Sequence, residues 1–184
     1  MAQSIPPLFY SFESDDLFKK CIECERSLDD DCDYVIEKAV RTYPGFNAKD
    51  VIFDYALCMN CALQIRESFS KQSLEAMDQY FAQHTQSRIV IVDEEGHFNI
   101  DECISSCLVK GTKLADLTEY QIYAHCRGKE LSSQIPPYMV SNEAVDDMLP
   151  LLSNETQDIL NGFFNKHFSP DPSIMNPVPK IVLV

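Results

Sequence analysis

The chain has 184 residues, of which 45% are hydrophobic, and a formal net charge of −14. That is enough apolar material for one ordinary domain or two small ones, and too much for a disordered chain. No apolar run approaches the roughly 18 residues of a membrane span, and a surface this acidic repels nucleic-acid phosphates and anionic bilayers.

The first residues, Met-Ala-Gln-Ser-Ile-Pro-Pro, lack the basic start and apolar stretch of a signal peptide, so a cytoplasmic setting is the expectation. In a reducing compartment the eight cysteines are not expected to form a disulfide framework. The N-terminal stretch carries Leu8, Phe9, Tyr10 and Phe12 and is expected to pack. Cys21-Ile-Glu-Cys24 follows, then the segment 27–33, whose four aspartates read as a solvated loop; the spaced D-x-D-x-D-G calcium loop is absent. Residues 34–43 and 51–57 are expected to form a β-hairpin. Phe53, Tyr55 and Leu57 alternate with Asp54 and Ala56, and Pro44-Gly-Phe-Asn47 supplies the turn.

Helical spacing starts at the second pair, Cys58-Met-Asn-Cys61. Ile65, Phe69, Met77, Tyr80, Phe81 and His84 recur at mostly three and four residues. Ser70 or Ser73 could cap a second segment, giving one long helix or two joined ones. Residues 88–92 read as a short strand, 93–96 as its turn, and 97–100 as a returning partner. A helix is expected over 101–110 with Asp101 as its cap, and then a strand over 120–126. Ser141 opens one helix, which Pro150 is expected to kink or end, and Ser153 opens another. The tail from Ser169 holds four of the ten prolines and closes on Ile181-Val-Leu-Val, the pattern of a docked edge strand or a partner-binding segment.

Two C-x-x-C pairs separated by residues 25–57 have the ligand spacing of a structural metal site. A short spacer lets two thiolates of one turn meet one ion, and the second pair completes the tetrahedron. The order of knuckle, hairpin, and C-x-x-C at a helix start resembles the treble-clef class of zinc modules, over roughly residues 18–69. The resemblance implies one structural Zn2+ per chain, held by Cys21, Cys24, Cys58 and Cys61. It also disfavours the nuclease branch of that class, which needs a histidine beside the metal, because no histidine precedes His84. The competing readings are four reduced thiols or an iron–sulfur cluster. Cys32 is a spare thiol.

A second group, Cys103, Cys107, His125 and Cys126, could form another tetrad or a reactive thiol centre. Core packing competes with both, because His125 and Cys126 would face opposite sides of a strand. No P-loop, Rossmann glycine pattern, H-E-x-x-H or G-x-S-x-G is present.

The expected architecture is α+β: an N-terminal treble-clef-like zinc module over 1–87, then a small α+β unit with an extended tail over 88–184. The expected function is that of a zinc-stabilised cytosolic interaction or adaptor protein without catalytic activity. A protein partner is expected, nucleic acid and membrane are disfavoured, and a homo-oligomer stays open. The alternatives are a thiol- or metal-dependent enzyme or redox sensor at the second cysteine group, and a nucleic-acid-associated regulator using the zinc module.

Overall fold

The computed structural model describes residues 2–29, 31–43, 45, 46, 48–85 and 92–168. The expected strand at 88–92 lies outside them except for Val92, and so does the tail from Ser169. The expected division at 87/88 also falls within residues that are not described.

The centre of the molecule is an antiparallel sheet. β1 (Asp33–Thr42) and β2 (Lys49–Cys58) form the expected hairpin, with a register shift at Ala39/Val40. β3 (Glu119–Arg127) lies on the other side of β1, and β4 (Glu130–Leu131) and β5 (Tyr138–Ser141) share the outer edge of β3. Residues from both sides of position 87 therefore build one sheet. β1 is buried from Tyr34 to Val40 without alternation, because both of its faces are covered.

Four of the helices start where the sequence signals them. α1 (Met59–Glu67) follows directly on β2. α2 (Lys71–His84) is a separate helix, capped by the Ser70 side chain, which accepts from the Ser73 N–H. α4 (Asn142–Met148) is capped in the same way by Ser141, and a single 3-10 turn at Leu149–Leu151 carries Pro150. α5 (Asn154–Phe168) sets Phe163, Phe164 and Phe168 against Phe53 and Tyr55 of β2, with ring centroids 5.4–6.1 Å apart.

The expected helix over 101–110 shrinks to α3 (Ile100–Cys103), capped by Asn99 rather than Asp101. Ser105 turns its hydroxyl onto the Glu102 carbonyl, and the chain leaves the helix to bridge elsewhere: Ser106 pairs with Lys113 and Cys107 with Met139. Local serine bonding and pairing with β5 outcompete helix propagation. Among the described residues, the return at 97–100 is one bridge, between Val92 and Phe98. The Gln3 side chain satisfies both backbone groups of Phe98, acting as a one-residue strand.

The caps of α2 and α5 interlock. Ser70 Oγ lies 2.8 Å from Ser153 Oγ, the Ser153 N–H donates to Ser73 Oγ, and the Ser70 N–H donates to Thr156 Oγ1. Ser73 and Thr156 are fully buried. Ser73 and Thr156 are the buried acceptors for the Ser153 and Ser70 N–H groups, and stripping a buried donor of its partner costs about 1–3 kcal/mol. We expect Ser73→Ala and Thr156→Val each to fall in that range, with a double-mutant coupling well above zero in urea unfolding because the two share partners.

Candidate metal centre

The first C-x-x-C forms a tight knuckle. The Cys21 N–H donates to the Arg26 carbonyl and the Glu25 N–H to the Cys21 carbonyl, both at 2.9 Å, while Lys20 and Ser27 bridge across its base. Glu25 takes a left-handed conformation (φ 58°) to reverse the chain. The Ile22 N–H donates to the Ala56 carbonyl of β2, which fixes the knuckle beside the second pair.

The second pair is positioned by the junction of β2 and α1. Cys58 is the last residue of β2 and the N-cap of α1, in an extended conformation (φ −62°, ψ 147°), and makes no side-chain cap bond. Cys61 is buried in the first helical turn. The free N–H groups of a helix start favour thiolates there.

All four sulfurs lie within 4.8 Å of one another. Cys24 Sγ is 3.8 Å from Cys58 Sγ, and the Cys58 N–H donates to Cys21 Sγ at 3.4 Å. Four thiolates bound at about 2.3 Å to one tetrahedral ion stand about 3.8 Å apart, so the donor set and its spacing fit a tetrahedral thiolate ion.

Cys21, Cys58 and Cys61 are buried and Cys24 is exposed. Burial pushes the Cys58 and Cys61 thiols up. At Cys24 the Arg26 backbone N–H pulls the thiol down, to about 7. Bare thiolates are disfavoured at the buried end of the site, and a divalent cation offsets that penalty.

Sequence reading missed one contact at this site. Glu23, between the two ligands of the knuckle, meets the end of α5: Lys166 Nζ lies 2.5 Å from Oε1 and His167 Nε2–H donates to Oε2 at 2.6 Å. Sequence separations of 143 and 144 residues hid it.

The second cysteine group does not converge. Among the described residues, Cys21, Cys24, Cys58 and Cys61 are the one set of three or more such ligands whose donor atoms meet. Cys103 is buried at the end of α3. Cys107 Sγ accepts from the Lys110 and Ser141 backbone N–H groups at 3.3 and 3.2 Å, a structural role. His125 and Cys126 point to opposite faces of β3, as their adjacency in a strand requires. Both line one cavity of about 730 Å³. Burial pushes the Cys126 thiol up to about 12 and holds the His125 imidazole below its ordinary range. A thiol so placed stays protonated at neutral pH, the reverse of an activated nucleophile.

Fold and site together define an α+β protein with a cluster of four cysteines at metal-ligand distance. No protein-family model, curated protein or solved structure matches the chain. None of the described helices is long and apolar enough to cross a membrane.

Proposed function

We propose that the chain is a zinc-stabilised interaction or adaptor protein without catalytic activity, and that the four cysteines form a treble-clef-like clasp. The observation that carries this reading is the convergence of four sulfurs from a knuckle and a helix start. Four thiolates complete a tetrahedron and leave no position for a substrate or an activated water. Bound zinc would supply a cross-link between the knuckle and the β2–α1 junction. The soft, all-sulfur donor set favours zinc among the ions available to a reduced protein.

A protein partner suits the surface. Phe12 and Phe46 expose 69% and 76% of their area on a strongly acidic chain. Aromatic anchors are favoured in protein interfaces, while the charge opposes phosphate-backbone binding. A cytoplasmic setting would keep the thiols reduced and ready for metal.

The test is elemental analysis of the full chain, purified reduced and without chelator. One zinc per chain is the expected result; folded protein with no zinc, or with iron and acid-labile sulfide, overturns it. Iodoacetamide footprinting checks the absence of thiol chemistry: Cys103, Cys107 and Cys126 should label only after unfolding. Rapid labelling of any one of them in the native protein would favour the enzyme or redox-sensor reading.

A further inference from the structure

We propose that the metal centre and the docking of α5 are thermodynamically coupled through Glu23, so that loss of the metal releases the end of α5 and uncovers the aromatic face of β2. This rests on the zinc reading above and concerns the regulation of the same site.

Glu23 is not a ligand, but both of its neighbours in the knuckle loop lead directly to one: Cys21 lies two residues before it and Cys24 one residue after it. The conformation of that loop decides where its carboxylate stands. The carboxylate receives two donors from consecutive residues of α5, one at each oxygen. The Lys166 side chain is 55% exposed, but that of His167 is only 11% exposed and that of Glu23 29%. The His167 contact is therefore shielded from solvent and is the stronger half of the latch. The His167 ring also packs on Phe163 at 4.8 Å, so the latch and the hydrophobic seat of the helix share a residue.

Among the described residues, the remaining attachments of the last turns of α5 are aromatic ring contacts. Phe164 and Phe168 lie on Phe53, and Phe163 and Phe168 on Tyr55. The start of the helix is tied independently, through Ser153 and Thr156 to Ser70 and Ser73. A knuckle ordered by metal presents Glu23 in one place, whereas an ion-free knuckle loses the cross-link that holds its loop. The helix then keeps its start and loses the polar anchor at its end. What is uncovered is an aromatic patch on β2 and α5, the chemistry that takes an apolar helix or loop of a partner protein.

Coupling of this kind is reciprocal. If metal strengthens the docking of α5 by some factor, docked α5 strengthens metal binding by the same factor. Charge adds to the effect: a divalent ion ringed by four thiolates carries a net charge of about −2, and Lys166 places a cation beside the knuckle.

The test uses the full chain, with zinc competed against a chromophoric chelator, and hydrogen exchange followed along α5. Glu23→Ala should still take up one zinc at saturation, with about tenfold weaker affinity, and in the zinc-loaded protein residues 162–168 should exchange about tenfold faster than wild type. Chelated wild type, held below its own unfolding transition, should show at least that acceleration at 162–168 and a smaller one at 154–158. Glu23→Gln, which keeps the shape but not the charge, should fall between. A wild-type chain that takes up no zinc removes the clasp itself. A wild-type chain that takes up one zinc, while Glu23→Ala matches it within about twofold in affinity and exchange, removes only the latch.

Discussion

Cys24→Ser should destabilise the protein as much as Cys61→Ser, although the first thiol is exposed and the second is buried. The equality is the informative part. If the four thiols merely pack, an exposed sulfur contributes almost nothing, and a change there stays within about 0.5 kcal/mol. Replacing buried Cys61 would then cost about 1–2 kcal/mol as a polar group in a tight site. If the four are ligands of one ion, each supplies a quarter of a closed coordination shell, and exposure is irrelevant. Structural zinc binding is worth about 10–16 kcal/mol in small finger peptides at neutral pH. Losing one ligand of four should remove at least about 5 kcal/mol of apparent stability, a fall of roughly 10–20 °C in Tm for a chain of this size. Chelation of the wild type should reach the same endpoint, and chelation of either serine variant should add little more. Cys126→Ala is the control: it removes a buried thiol outside the set, should cost about 1–2 kcal/mol, and should leave metal content unchanged. Differential scanning fluorimetry with and without chelator, alongside metal analysis, reads the whole series. A Cys24→Ser chain as stable as wild type would remove the metal from the account.

What the sequence made legible follows from the range of the interactions involved. The C-x-x-C spacing is a local geometric requirement, so all four members of the cysteine cluster could be named without a fold. The hairpin followed from alternation at Phe53, Tyr55 and Leu57 and from a turn at Pro44-Gly45. Caps such as Ser70, Ser141 and Ser153 were readable because an N-cap acts over three residues. The helix over 101–110 failed because its competitor was not local: Cys107 bridges to Met139 and the Leu108 N–H donates to the Met139 carbonyl. Nothing within the segment announces a strand that lies thirty residues further on. The partnership of Glu23 with Lys166 and His167 was hidden for the same reason. So was the neighbourhood of β1 and β3, which sets the two halves of the chain into one sheet. The second cysteine group shows the limit from the other side. Adjacency made His125 and Cys126 look like a pair, and the pleat that separates them was the physical argument already available against it.

Glu37→Ala should be among the most damaging single changes away from the metal centre, at roughly 3–5 kcal/mol. The residue sits at 1% exposure in the central strand. Register places Tyr55, Glu37, Tyr123 and Tyr138 in one row across β2, β1, β3 and β5, so all four side chains project from the same face. The Tyr55 hydroxyl donates to Glu37 Oε2. The Tyr123 hydroxyl lies 3.2 Å from Glu37 Oε1 and 2.7 Å from Gln121 Oε1. Removing the carboxylate leaves a void and strips buried hydroxyls of an acceptor. Removing a single donor is milder: Tyr55→Phe should cost about 1–3 kcal/mol. The row also fixes an alkaline limit. Burial, reinforced by the Glu37 carboxylate, raises the hydroxyls of Tyr55, Tyr123 and Tyr138 above the ordinary range, and burial beside Cys126 does the same for Tyr34. A group whose folded pKa lies above its unfolded value stabilises the fold fully below the unfolded value, here about 10, and loses that contribution as pH rises beyond it. Stability should therefore hold up to about pH 10 and fall steeply above it. Absorbance at the tyrosinate band should show these four of the eight tyrosines ionising only together with unfolding. In Glu37→Ala the onset should follow the lowered stability downward. Free ionisation of all eight tyrosines in a folded chain at moderate alkalinity would contradict the buried row.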